Sequence, residues 1–184
     1  MNKFATIAAL SIATLTAPVA ALADNPMVGG AAMYEDKNIV ENALNSEDHT
    51  TLVAAVQAAG LAETLMGEGP FTVFAPTNAA FDRLPEGTVE SLLMPENKDM
   101  LVQVLTCHVV DKAVMSDALR GMIADDGGMH EVPTLGGCVL DAAYDDGVVT
   151  LTDENGTMAT ITIADVKQSN GVIHVIDNVM TPVM

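Results

Sequence analysis

The chain has 184 residues, with 25 acidic and seven basic side chains, a formal net charge of −18 at pH 7 and 49% hydrophobic residues. A field of that sign repels phosphate backbones and anionic head groups, which argues against nucleic acid and bare membrane as partners. Tryptophan is absent and only two tyrosines occur, so a sugar-stacking platform would be poor.

At the start, Lys3 precedes an apolar run of small residues from Phe4 to Val19, and Ala21-Leu22-Ala23 sets small residues three and one before a cut. This is the pattern of a secretory signal peptide, so residues 1–23 are expected to be removed before Asp24. Thr14, Thr16 and Pro18 interrupt the run, which falls short of a bilayer span. No lipid-accepting cysteine stands at the cut and the chain closes without an apolar tail, so direct membrane insertion is not expected. The product is expected to be secreted or periplasmic and monomeric, with one domain. Residues 24–37 mix Pro, Gly and Ala without periodicity and read as a mobile leader, leaving a domain over 38–184.

From Asn38 the pattern turns helical. Ile39, Val40, Ala43 and Leu44 share one face, and Asp48 is placed to cap a second helix that carries Leu52, Val53, Val56 and Ala59 inward until Gly60. A short helix over 61–66 stops at Gly67 and Gly69-Pro70. Residues 71–75 form a β-rich, buried strand, and Pro76-Thr77-Asn78 turns the chain into a helical segment that sets Phe81 and Leu84 on the core. Two further helices are expected over 88–93 and 97–105. The second half changes character, with strands over 107–110, 131–135, 138–143, 148–152, 157–164 and 172–176, and hairpin turns at Asp146-Gly147 and Asn155-Gly156. Helices first and strands later predict an α+β domain, N-terminal helices packed on a small sheet or sandwich.

Several residues have roles that follow from chemistry alone. Phe71, Phe74 and Phe81 bring large apolar areas to the core. Pro76 fixes the bend after the strand, Thr77 and Asn78 tie off turn and helix-start amides, and Gly171 allows a tight turn before the last strand. An oxidising compartment makes a disulfide between Cys107 and Cys138 the expected state, with two free buried thiols as the alternative. His108 and His174 read either as metal ligands or a catalytic pair, or as hydrogen-bonded structural residues, and the structural reading is favoured for His108.

Enzyme motifs are missing. No Gly-x-Ser-x-Gly elbow or phosphate-binding glycine loop occurs, and His130-Glu131 lacks the second histidine of a zinc protease helix. Cys107, His108, His130 and Cys138 are residue types that zinc prefers, but their spacing fits no common site, so no metal or cofactor is implied.

The segments GPFTVFAPTNAAF, from Gly69 to Phe81, and NGVIHVIDNVMTP, from Asn170 to Pro182, resemble the two signature motifs of fasciclin-like domains. Between them Cys107-His108-Val109-Val110 resembles that family's central histidine motif, with cysteine where a tyrosine is usual. The resemblance implies a fasciclin-like fold over residues 38–184 and an adhesion or matrix-interaction module that binds a cell-surface or matrix protein. It also implies an interior place for His108. Asp165-Val166 resembles an Asp-Ile pair implicated in integrin recognition in matrix members of the family, which marks Asp165 and Val166, with His108, as candidate binding residues. A secreted small-ligand- or metal-binding module, holding zinc through Cys and His, is the alternative function, and an enzyme is not expected.

Overall fold

Helices fill the first half of the chain and strands most of the second in the computed structural model, which describes residues 25–183. The expected signal peptide over 1–23 and the cut before Asp24 lie outside the described residues. Ahead of the helices, β1 (Met27–Val28) pairs antiparallel with β2 (Ala31–Ala32) across Gly29-Gly30. The expectation of a mobile leader is corrected here, because Val28 and Met33 are buried in the helical core. Strands of two residues carry no readable periodicity. The ribbon lies so close to the next turn that a Cβ at Gly29 would run into the Ser46 hydroxyl and the Asp48 amide.

Helix α1 (Ile39–Ala43) opens with a reciprocal cap: Glu41 N–H donates to Asn38 Oδ1 at 2.9 Å and Asn38 N–H donates to Glu41 Oε2 at 3.0 Å. Helix α2 (Thr50–Ala59) ends where Gly60 takes φ 75°, a conformation that glycine adopts without steric cost. Asp48 does not cap it. That residue lies inside a tight 3-10 turn over Glu47–His49, and Thr51 N–H instead donates to Asn78 Oδ1 from a distant segment. Then come α3 (Ala62–Leu65), strand β3 (Phe71–Pro76), α4 (Asn78–Phe81), α5 (Thr88–Leu92) and α6 (Lys98–Thr106).

The strand expected over 107–110 is shorter. Cys107 closes α6 as its C-cap, and only Val109–Val110 forms β4. An unexpected helix, α7 (Ser116–Asp125), follows, and then β5 (Met129–Pro133), β6 (Val139–Asp145), β7 (Val148–Thr152), β8 (Met158–Gln168) and β9 (Gly171–Ile176).

Seven strands make one mixed sheet in the order β4-β3-β9-β8-β7-β6-β5, antiparallel except for β3 beside β9. Strand β8 joins two regions of this sheet. Met158 to Thr160 pair with β7, whereas Ile161 to Gln168 pair with β9 through two irregularities of register. Side chains of β3 alternate accordingly. Val73 and Ala75 face the core under α1, α2 and α6, whereas Phe74 joins Ile176 and Met180 in a second core under α7 and β5–β7. The architecture is α+β, with helices packed on a mixed sheet.

Candidate functional site

The two motif strands lie side by side, Phe71 opposite Gly171 and Pro76 opposite Ile176. At their start one side chain ties three elements together. Asn170 Oδ1 accepts from Ile39 N–H at 3.1 Å, and its Nδ2 donates to the Leu65 and Gly67 carbonyls at 2.7 and 3.0 Å. Its own carbonyl accepts from Phe71 N–H at 3.0 Å. Gly171 is required beside it, because a Cβ there would penetrate the Phe71 carbonyl.

At the far end, Thr77 Oγ1 accepts from Ala80 N–H at 3.3 Å and starts α4. Asn78 accepts from Thr51 N–H at 3.0 Å and from the Thr50 hydroxyl at 3.2 Å, and donates to the Glu47 carbonyl at 2.8 Å. Pro76, Phe74 and Phe81 are buried, and Phe71 is half-buried.

His108 and His174 both sit inside the fold. His108 Nδ1 lies 2.8 Å from the Val104 carbonyl, and Nε2 accepts from Met180 N–H at 2.9 Å. A carbonyl can only accept and an amide only donate, so this ring carries its proton on Nδ1. His174 is the mirror case. Its Nε2 faces the Val114 carbonyl at 2.8 Å and its Nδ1 accepts from Asp165 N–H at 3.2 Å, so the proton is on Nε2. Phe74 stacks on the His174 ring with centroids 5.7 Å apart. Burial holds both below the ordinary histidine pKa, His108 at about 4, against the opposing pull of their carbonyl partners and of Asp153 and Asp165 respectively. Both nitrogens of each ring are engaged with main chain, which leaves neither free for a metal or a substrate.

Asp165 takes φ 60° at an irregular position inside β8, not at a strand end. Its Oδ1 accepts from Ser116 N–H at 2.6 Å and its Oδ2 from the Ser116 hydroxyl, so the carboxylate caps the first turn of α7. Val166 is completely buried in the helical core. Cys107 and Cys138 are bonded to each other, with Cα atoms 5.4 Å apart, which withdraws both sulfurs from zinc. Among the described residues, no group of three His, Cys, Asp or Glu side chains is placed to hold a metal ion.

What the motif turns do expose is a cleft of about 800 Å³. Turns 67–70 and 169–171 line it, together with Glu35, Met66, Met115 and Lys167. Met66 is 45% exposed, a large apolar side chain presented to solvent. Four separated segments build this surface, so no local pattern in the sequence points to it. The nearest signal is Lys167, one of seven basic residues in the chain.

Comparison with known proteins agrees with this geometry. The model of the fasciclin domain matches residues 47–182. Protein sll1483 of Synechocystis sp. is 49% identical over 158 residues, 86% of this chain and 81% of that protein. The transforming growth factor-beta-induced protein ig-h3 of Sus scrofa is 38% identical over 131 residues, which cover 71% of this chain and 17% of that protein. Among solved structures, the FAS1 domain pair of the insect cell adhesion molecule fasciclin I matches with a TM-score of 0.69 and 17% identity. That match covers 80% of this chain, which spans about half the length of the insect pair, 51%. Among the described residues, no helix is long and apolar enough to cross a membrane.

Proposed function

This chain belongs to the fasciclin domain family, and from that premise we propose that it is an exported adhesion or matrix-interaction module, which holds a cell-surface or matrix protein by binding alone. The observation that carries this reading is the division of labour at the motifs. Their polar side chains are engaged in internal hydrogen bonds, as at Asn78, His108, Asn170 and His174. The turns beside them open a cleft with mixed polar and apolar walls. Such an arrangement provides a rigid contact surface with no activated nucleophile or acid–base pair in it. The relationship to a cell adhesion molecule of insects supports the same reading.

A chain with net charge −18 approaches a basic partner surface faster than an acidic one, and salt weakens that steering. Asp165 supports this surface from behind, whereas Val166 is buried in the helical core. By holding Ser116, Asp165 fixes the adjacent Met115, which lines the cleft.

Purified exported protein, coated on an inert surface, should retain cells or matrix protein, and retention should fall as salt rises. Glu68→Lys and Met66→Ser change exposed cleft residues. Each should reduce retention at least threefold with an unchanged melting temperature. Coated protein that retains nothing overturns the adhesion reading. Retention indifferent to both substitutions moves the contact surface away from the cleft.

A further inference from the structure

Methionine is among the residue types most often buried in folded proteins. This chain places it the other way. Of the ten methionines among the described residues, only Met33 and Met180 are buried, whereas Met27, Met66, Met94, Met100, Met129 and Met158 are 40% to 60% exposed. Leucine has nearly the same volume and is more numerous there, yet only Leu44 and Leu135 reach that exposure. No described isoleucine or phenylalanine does. Apolar bulk is kept inside and thioethers are put outside, so hydrophobicity does not explain where the six stand.

They are spread over both halves of the fold: on β1, just past α3 and α5, on α6, and at the starts of β5 and β8. Of the six only Met66 lines the cleft, so the adhesion surface does not account for the other five.

A thioether can do one thing that a leucine side chain cannot, which is to take an oxygen atom from a two-electron oxidant and become a sulfoxide. Other readily oxidised groups are withdrawn from this surface. Both cysteines are bonded to each other and buried, and tryptophan is absent. Sulfoxide formation turns an apolar side chain polar, which disrupts a core. Where solvent already surrounds the sulfur, the fold loses no packing. Met33 in the helical core and Met180 in the second core are the two whose oxidation would be damaging, and both are shielded.

We propose that the six exposed methionines form a sacrificial sink for two-electron oxidants of the hypohalous acid class, which spares neighbouring molecules. In each event the thioether sulfur loses two electrons and gains an S–O bond. The O–Cl bond of hypochlorous acid breaks, chloride leaves with the electron pair and the proton passes to solvent. Hypochlorous acid is neutral in its protonated form, so the acidic surface does not repel it. This inference is independent of the adhesion reading, because five of the six sulfurs lie outside the cleft.

The test mixes the purified exported chain with an equimolar reporter peptide bearing one methionine and adds one equivalent of hypochlorous acid. Mass spectrometry then reads oxygen uptake on each. Wild-type protein should lower reporter oxidation at least fivefold relative to the reporter alone. Further oxidant should fill the six exposed positions before Met33 or Met180 is touched, with melting still cooperative. A variant with all six changed to leucine should lose the protection, and Met27→Leu/Met94→Leu/Met158→Leu should give an intermediate level. Equal protection by the sixfold variant overturns the sink. So does oxidation of Met33 and Met180 alongside the six, or loss of cooperative melting before the six are filled. If the sixfold variant fails to fold, the wild-type titration and the triple variant decide, and a triple variant that protects as well as wild type overturns the proposal.

Discussion

His108 is held neutral by two main-chain partners that a protonated ring could not both satisfy, because Met180 N–H needs a lone pair on Nε2. Burial lowers its pKa from 6.5 to about 4. Between those limits the unfolded chain takes up a proton that the folded ring does not. The stability contributed is therefore full above pH 6.5 and is lost as pH falls towards the folded value, at up to ~1.4 kcal/mol per pH unit. Burial pulls His174 and His49 the same way, which steepens the loss. Urea unfolding from about pH 7 down to about pH 5 should show a falling midpoint at constant m-value. His108→Gln should remove one proton's share of that slope. A wild-type midpoint that does not move across this range contradicts the assignment. Packing, by contrast, governs Phe74, which is 1% exposed in the second core. Phe74→Ala should lower unfolding free energy by about 3–5 kcal/mol through lost burial and a residual cavity. Loss of retention with unchanged stability would instead make this ring a contact residue.

Helix α7 shows how far local pattern reaches. The sequence reading assigns no element there, and the reasons are visible: Met115 at its N-cap offers no oxygen, Gly121 interrupts it, and its inward stripe rests on Ser116, Leu119 and Ile123. Its cap comes from Asp165, 49 residues away, a partner that no window along the chain contains. The same cause hid the true cap of α2, supplied by Asn78, and the second pairing of β8 beyond Ala164. Strong local signals, such as the buried run of β3, the glycine stop of α2 and the turn at Asp146-Gly147, were legible at once. The motif residues were legible as a set, but the cleft beside them was not, since it exists only after four segments meet. Asp165→Ala should destabilise the molecule by about 1–2 kcal/mol, because it removes the cap and leaves a residue poorly suited to φ above zero. Asp165→Asn keeps an acceptor and tolerates that backbone, so it should cost less. Hydrogen exchange read on α7 amides checks this. Equal protection in wild type and Asp165→Ala would show that the helix does not depend on the cap.

Two cores meet along β3, β9 and the bent strand β8, and a covalent link crosses between their outer parts. Cys107 ends α6 on the helical side, and Cys138 immediately precedes β6 in the second core. The same region is pinned by Leu135 N–H to the Val109 carbonyl at 2.8 Å and by Gly136 N–H to the Thr106 carbonyl at 3.0 Å. Gly136 is needed for that approach, because a Cβ there would crowd the Cys107 amide and sulfur. With the cysteines 31 residues apart, the chain-entropy model gives a stabilisation of about 3–4 kcal/mol, acting on the unfolded chain. The double variant Cys107→Ser/Cys138→Ser should therefore unfold at lower urea by that amount with its native sheet intact, since the main-chain bonds around Gly136 remain. Cys107 is fully buried and Cys138 nearly so, so a reductant reaches the bond only when this region opens. The rate of reduction should then rise with urea in parallel with exchange of the β5–β6 amides. Fast reduction of the folded protein, independent of urea, would mean that the link is exposed and does not fasten the two cores together.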